Sequence, residues 1–181
     1  MRKKSCFDSV KFVENKVNVD NRGFLFENFS LKILDSLKNW EDFTVRQQNI
    51  VFSKKYAIRG MHRTMPGYNQ RKIITCLDGA INDILWDTCT KSSTFGQFRS
   101  FALDSVNHAT LFIPSCMAHG FQTLSNHSLV SYLLDREYSV SHEISISPLD
   151  SKIIDVWKEP YLLSEKDLSA PKLDFFLELL S

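Results

Sequence analysis

The 181-residue chain is poor in the two residues that punctuate or loosen a backbone, with 6 Gly and 5 Pro. That scarcity excludes collagen-like and low-complexity architectures. Charge of one sign is also lacking: 22 Lys and Arg face 21 Asp and Glu, a net charge of +1. A balance so close to zero gives no global attraction to nucleic acid or to an anionic membrane, so neither is expected as a partner. No apolar run approaches the roughly 18–20 residues that span a bilayer. The basic start, Arg2-Lys3-Lys4, is not followed by an apolar core, so no secretory signal is read and a cytoplasmic address is the expectation. The four cysteines, Cys6, Cys76, Cys89 and Cys116, contain no C-x-x-C pair, and all four are expected to be reduced. No H-x-H pair accompanies His62 or His119, and a metal site normally needs three or four protein ligands, so no metal is expected.

What the chain has in quantity is phenylalanine, 14 copies against 3 Trp and 5 Tyr. So much aromatic surface must be covered by a core or by a subunit interface. Short runs of period-two alternation predict strands over 10–13, 24–26, 44–53, 72–77, 80–87, 97–103, 110–113, 120–124 and 129–134. Asp78-Gly79 lies between two of these and predicts a hairpin turn. Only two helices are predicted, one over 31–37 capped by Ser30 and one over 172–180 entered through Ser169 and Pro171. With no linker or internal repeat, residues 1–181 read as a single, mainly β domain, a sandwich or barrel with a C-terminal helix.

Several residues have the chemistry for proton transfer. His62, in Arg59-Gly60-Met61-His62, is a candidate base, because an imidazole titrates near working pH. Lys72 and Tyr132 fall within strand runs, where each side chain can point into a barrel or out of it. Asp167, in Leu163-Ser164-Glu165-Lys166-Asp167, has the ordinary reading of a loop or helix-capping carboxylate. Each taken alone has a structural explanation.

Their order along the chain resembles that of the dTDP-4-dehydrorhamnose 3,5-epimerase family. Asp20-Asn21-Arg22-Gly23-Phe24 followed by Glu27 is similar to its D-x-R-G-F opening, and Arg59-Gly60-Met61-His62 to its R-G-L-H. Gln48-Asn49 with Ser53 stand near a Q-x-N-x-S strand, and Pro66, Gln70 and Lys72 near P-x-x-Q-x-K. Asp78-Gly79-Ala80-Ile81 and Asp83 to Asp87 resemble G-x-I-x-D-V-x-V-D, and Ser93-Thr94-Phe95-Gly96 resembles S-x-T-F-G. Ile113-Pro114 through Ala118-His119-Gly120-Phe121, and then Leu163 to Asp167, complete the set. The chain departs from the family pattern at Arg63-Thr64, where an aromatic residue and Gln are usual, and at Cys116-Met117, where Gly-Phe is usual.

The resemblance implies a cupin-like jelly roll or β-barrel with a few short peripheral helices. It implies epimerisation at carbon 3, carbon 5 or both of a nucleotide-linked, dTDP-type 4-keto-6-deoxy sugar, with no cofactor. His62 would be the base, Asp167 its partner, Lys72 the stabiliser of the enolate oxygen and Tyr132 the acid. Arg59, Gln48, Asn49, His119 and Tyr138 would bind substrate. Arg22, Phe24 and Glu27 would meet the nucleotide, in a homodimer that shares strands. The setting implied is cytoplasmic deoxysugar synthesis for a cell-surface polysaccharide. The alternatives are epimerisation at carbon 3 alone, a 3,4-ketoisomerase, or a sugar-nucleotide binding module without turnover.

Overall fold

A computed structural model describes residues 3–175. The chain enters through a 3-10 turn, Cys6–Ser9, that Ser5 and Asp8 close with reciprocal side-chain to backbone bonds and that buries Phe7. Three short strands follow: β1 (Lys11–Glu14), β2 (Val17–Asp20) and β3 (Gly23–Phe26). Helix α1 (Leu31–Ser36) starts where predicted, with the Ser30 hydroxyl accepting from Ile33 N at 3.3 Å, and it buries Leu34. The remaining strands are β4 (Gln47–Lys54), β5 (Ile58–Thr64), β6 (Lys72–Asp87), β7 (Phe98–Asp104), β8 (Ala109–Ile113), β9 (Met117–Leu134) and β10 (Glu143–Ser145). A one-turn helix, α2 (Glu165–Leu168), comes last.

Two strands of unusual length, β6 and β9, organise the molecule, and they pair antiparallel along most of their course. The first half of β6 also pairs with β8 and the second half with β7, while β9 holds β5 along its first half and β4 along its second. The order β1-β8-β6-β9-β5-β10, with β4 on β9 and β7 on β6, therefore wraps two half-sheets around one interior, the jelly-roll arrangement expected. Each long strand was expected as two. Asp78-Gly79 is not a hairpin turn but a bulge in continuous β6, where the register against β9 shifts between Cys76 and Asp78 and again between Gly79 and Ile81. A tight hairpin turn of the primed types and a G1-type bulge both use a glycine at positive φ, so the dipeptide alone does not separate them. Gly79 has φ 78°, and a Cβ there would lie 2.1 Å from the His127 carbonyl oxygen.

Large side chains fill the interior in three clusters. One gathers Leu85, Leu103, Leu111 and Phe121, another Met61, Trp86, Ile146 and Trp157, and a third packs Trp40 and Phe43 on Phe112. The phenylalanines divide: Phe7, Phe43, Phe112 and Phe121 are buried, but Phe24 and Phe52 are 57% and 58% exposed. Among the described residues no helix is long and apolar enough to cross a membrane. The predicted helix over 172–180 begins with 173–175 in helical conformation, and the rest of it lies outside the described residues.

The expectation of four reduced cysteines is overturned: Cys6 and Cys116 form a disulfide across 110 residues, while Cys76 and Cys89 are free. Sequence spacing carried no sign of this pair. Folding brings the two together by setting the N-terminal turn against the β8–β9 connection.

Candidate active site

Strands β5, β6 and β9 and helix α2 converge on a cavity of about 570 Å³ whose lining includes Arg59, His62, Lys72, His119, Tyr132 and Asp167. Register explains the gathering. His62 on β5 stands opposite His119 on β9, and opposite residues of an antiparallel pair point to the same side. Tyr132, near the other end of β9, is opposite Asn49 on β4. Close approach of β5 to β9 depends on Gly60, where a Cβ would meet the His119 carbonyl oxygen at 2.6 Å.

His62 and Asp167 form a dyad, with Nε2 of the imidazole 2.8 Å from Oδ1 of the carboxylate. Asp167 is held in turn by its own helix. The Ser164 hydroxyl caps α2 by accepting from Asp167 N at 3.1 Å and donates to Asp167 Oδ2 at 2.8 Å. The capping and dyad readings of this carboxylate thus hold together. Burial opposes its ionisation, but the bonds from His62 and Ser164 outweigh that and keep the carboxyl below its ordinary pKa. With Nε2–H given to Asp167, the imidazole lone pair is on Nδ1, 3.6 Å from Glu143 Oε1.

Lys72 projects from the start of β6 and its Nζ donates to the His62 carbonyl at 3.4 Å. Burial lowers its pKa from 10.5 to about 8, with Glu143 and Asp83 opposing the shift. Tyr132 is the reverse case: burial and the nearby Asp83 raise its phenol well above the ordinary value, against a smaller pull from Arg59. It therefore keeps its proton at neutral pH and is available as an acid. Its ring meets that of His119 edge-on, with centroids 5.9 Å apart. The His119 Nε2 lies 2.9 Å from Asp83 Oδ2, and both side chains are buried. Burial lowers the His119 pKa, partly offset by Asp83. The other oxygen, Asp83 Oδ1, is buried without a hydrogen-bond partner among the described residues. Arg59 is fixed by its Nε donating to Ser53 Oγ at 2.8 Å and its Nη2 to the Phe52 carbonyl at 3.1 Å.

The other predicted site residues fall differently. Asn49 shares the inward face of β4 with Gln47, whose Nε2 donates to Asn49 Oδ1 at 2.8 Å. Gln48 lies on the opposite face, exposed, with its amide donating to Ser131 Oγ at 3.2 Å. Tyr138 is joined to the site indirectly, its hydroxyl donating to Glu143 Oε2 at 2.8 Å and its backbone N to Gln47 Oε1 at 2.6 Å. Arg22, Phe24 and Glu27 do not line the cavity. Arg22 is paired with Asp20, the Phe24 ring packs on His108 at 4.6 Å, and Glu27 accepts from the Ser30 hydroxyl at 2.7 Å.

Four groups were not singled out as site residues by sequence: Gln47, Asp83, Glu143 and Lys166. Glu143 accepts from Tyr138 and pairs with Lys166, which lines the cavity. Asp83 and Lys166 had a signal, their places in the β6 motif and in Leu163-Ser164-Glu165-Lys166-Asp167; Gln47 and Glu143 had none. Among the described residues no group of three or more His, Cys, Asp and Glu side chains is placed to hold a metal ion.

Residues 4–174 match the family model described as dTDP-4-dehydrorhamnose 3,5-epimerase. A dTDP-4-dehydrorhamnose 3,5-epimerase of Salmonella typhimurium is 36% identical over 173 residues, covering 94% of each chain. The crystal structure of a dTDP-6-deoxy-D-glucose-3,5-epimerase from Legionella pneumophila, in complex with dTDP-4-keto-L-rhamnose, superposes with a TM-score of 0.89 at 32% identity and covers 97% of this chain and 94% of that one. A 3'-monoepimerase from Streptomyces bikiniensis, in complex with dTDP-quinovose, superposes with a TM-score of 0.89 at 28% identity, covering 94% of this chain and 87% of its own. By the extent of the family match and by the solved folds it shares, the chain belongs to the dTDP-4-dehydrorhamnose 3,5-epimerase family.

Proposed function

We propose that this protein inverts carbon 3, carbon 5 or both of a dTDP-linked 4-keto-6-deoxy sugar by removing a proton and returning one through an enolate. The observation that carries this reading is the gathering, in the lining of one cavity, of a His62–Asp167 dyad, a buried phenol, Tyr132, and a lysine, Lys72. Hydrogens beside a ketone are acidic because the resulting carbanion delocalises onto oxygen. His62 takes such a proton on Nδ1, and Asp167 stabilises the imidazolium that forms. Lys72, at about pKa 8, is largely cationic at neutral pH and meets the negative charge growing on the ketone oxygen. Tyr132 then delivers its proton to the other face of the ring, and the configuration inverts. A module that only bound a sugar nucleotide would have no use for this pairing of base and acid, and a 3,4-ketoisomerase would leave Tyr132 unexplained.

Arg59, His119 and Asn49 bind the sugar and diphosphate in this reading, and Tyr138 contacts the nucleotide. Arg22, Phe24 and Glu27 reach a nucleotide only if the β2–β3 hairpin serves a second copy's cavity. That hairpin forms a separate two-stranded sheet and exposes Val19 and Leu25, while β4 exposes Ile50 and Phe52. A homodimer with exchanged hairpins covers this apolar surface and accounts for much of the phenylalanine excess. The enzyme acts in the cytoplasm, in deoxysugar synthesis for a cell-surface polysaccharide.

The test is incubation with dTDP-4-keto-6-deoxyglucose in deuterated water, read by NMR. Deuterium at carbons 3 and 5 is expected of a double epimerase, and at carbon 3 alone of a single one. No incorporation with this or other nucleotide carriers would remove epimerisation from consideration.

A further inference from the structure

Three of the four cysteines meet in a second cavity, of about 480 Å³, lined by Cys6, Cys89 and Cys116. All three are half-buried, and while Cys6 and Cys116 are joined, Cys89 carries a free thiol. Two independent features place Cys89 beside the bridge. The β6–β9 ladder ends on Asp87 opposite Met117, so the next positions outward are Thr88 and Cys116, with Cys89 one step further. Positions offset by one beyond an antiparallel pair lie close to the span of about 4.4–6.8 Å between Cα atoms that a disulfide bridges. Ser92 also joins Cys89 to Cys6: its backbone N donates to the Cys89 carbonyl at 2.9 Å, and its Oγ accepts from Cys6 N at 3.1 Å. The fourth cysteine, Cys76, sits in the core and does not line this cavity.

Exchange between sulfurs needs a thiol that can reach a disulfide sulfur, and the cavity offers that access. The cavity carries Lys4, Lys38 and Lys91 against the single acid Asp8. Arg63 donates to the Thr88 carbonyl at 3.1 Å, and Asp87 Oδ1 accepts from Cys89 N at 3.1 Å, so the strand end that carries Cys89 is held in place beside the bridge. Cys116 and Arg63 are both positions where the chain departs from its family's pattern, and the epimerase reading gives neither a task.

We propose that Cys6, Cys89 and Cys116 form a thiol–disulfide exchange site in which the Cys89 thiolate attacks Cys116 Sγ. The Cys89–Cys116 bond forms, the Cys6–Cys116 bond breaks, and its electron pair leaves on Cys6 as a thiolate. The protein's oxidation state is unchanged, so no outside oxidant or reductant is consumed. The two isomers differ in what they fasten. Cys6–Cys116 ties the N-terminal turn to the β8–β9 connection. Cys89–Cys116 joins two neighbouring strand ends and leaves Cys6 as a free thiol in a cation-lined cavity. This inference does not depend on the epimerase reading.

The experiment is a disulfide map of the full chain, purified without reductant, held at pH 8, quenched with N-ethylmaleimide and digested with trypsin. Cys76 and Cys89 share the tryptic peptide 73–91, so fragmentation within it assigns the linked sulfur. Wild type is expected to yield both the Cys6–Cys116 and the Cys89–Cys116 peptides. In Cys89→Ser, labelling of Cys6 should slow at least tenfold. In Cys6→Ser treated with oxidised glutathione, Cys89–Cys116 should be the product. If wild type emerges fully reduced, the same map is made after oxidised glutathione. Absence of a Cys89–Cys116 peptide from both wild type and Cys6→Ser, or Cys6 labelling at an unchanged rate in Cys89→Ser, overturns the proposal. Melting curves of Cys89→Ser and Cys89→Ala exclude unfolding as the cause of a changed map, and the wild-type map needs no variant.

Discussion

Replacing Lys72 with Met should make the protein more stable at neutral pH while disabling it. The ammonium is lowered from 10.5 to about 8 by burial, even with Asp83 and Glu143 opposing the shift. A depression of that size corresponds to about 3 kcal/mol by which the folded state disfavours the charged form. Lys72 keeps some contact with the cavity, so water reduces the figure, and a gain of about 1–3 kcal/mol is expected for Lys72→Met at pH 7. The sign follows from proton counts. Between about pH 8 and 10.5 the unfolded chain holds the proton that the folded chain has released, so wild type gains stability as pH rises through that window. Below pH 8 both states are protonated and the full penalty is present. The advantage of the variant should therefore be largest at pH 7 and shrink by pH 10. Urea unfolding at the two pH values measures it, with a midpoint raised by roughly 0.5–1.5 M at pH 7. A variant less stable than wild type at pH 7 would refute the reasoning, because it would mean that the neighbouring carboxylates more than repay burial of the charge. In the same variant turnover should fall about 10²–10³-fold, the usual loss for one oxyanion donor. For wild type, loss of the Lys72 proton should bring the rate down as pH rises through about 8.

Three further outcomes separate the roles at the site. Asp167→Asn should lower kcat by about 10²–10⁴ with little change in KM, since it alters the tautomer and charge stabilisation of His62 and not the substrate contacts; a KM effect alone would assign the carboxylate to binding. Tyr132→Phe should leave exchange of the substrate's own hydrogen into solvent while inversion is lost, because His62 can still remove and return a proton on one face; NMR of a carbon-deuterated substrate distinguishes the two. Gln47→Ala should raise KM about tenfold, the effect of roughly one hydrogen bond, and Gln48→Ala should leave it unchanged; the opposite ranking would mean that β4 is used through its outward face.

Legibility from sequence tracked how local the cause was. The Ser30 cap of α1 and the alternating strands depend on neighbours a few residues apart, and these were readable. The continuity of β6 was not, because Gly79 supplies a positive φ that serves a bulge as well as a turn. The cysteine bridge and the Asp83–His119 pair were hidden for another reason: their partners stand 110 and 36 residues apart and meet only through packing and strand register.

Gln47 shows the same limit at its smallest scale. Gln47, Gln48 and Asn49 are consecutive and chemically alike, and a motif with imperfect spacing does not choose among them. Strand parity chooses, since alternate residues face opposite sides of a sheet. The inward parity is set on the partner strand, where Tyr132 opposite Asn49 faces the cavity. Asn49 and its i−2 neighbour Gln47 then share that side, and Gln48 does not. Which of the three faces inward thus rests on a pairing made with β9, which no inspection of β4 alone supplies.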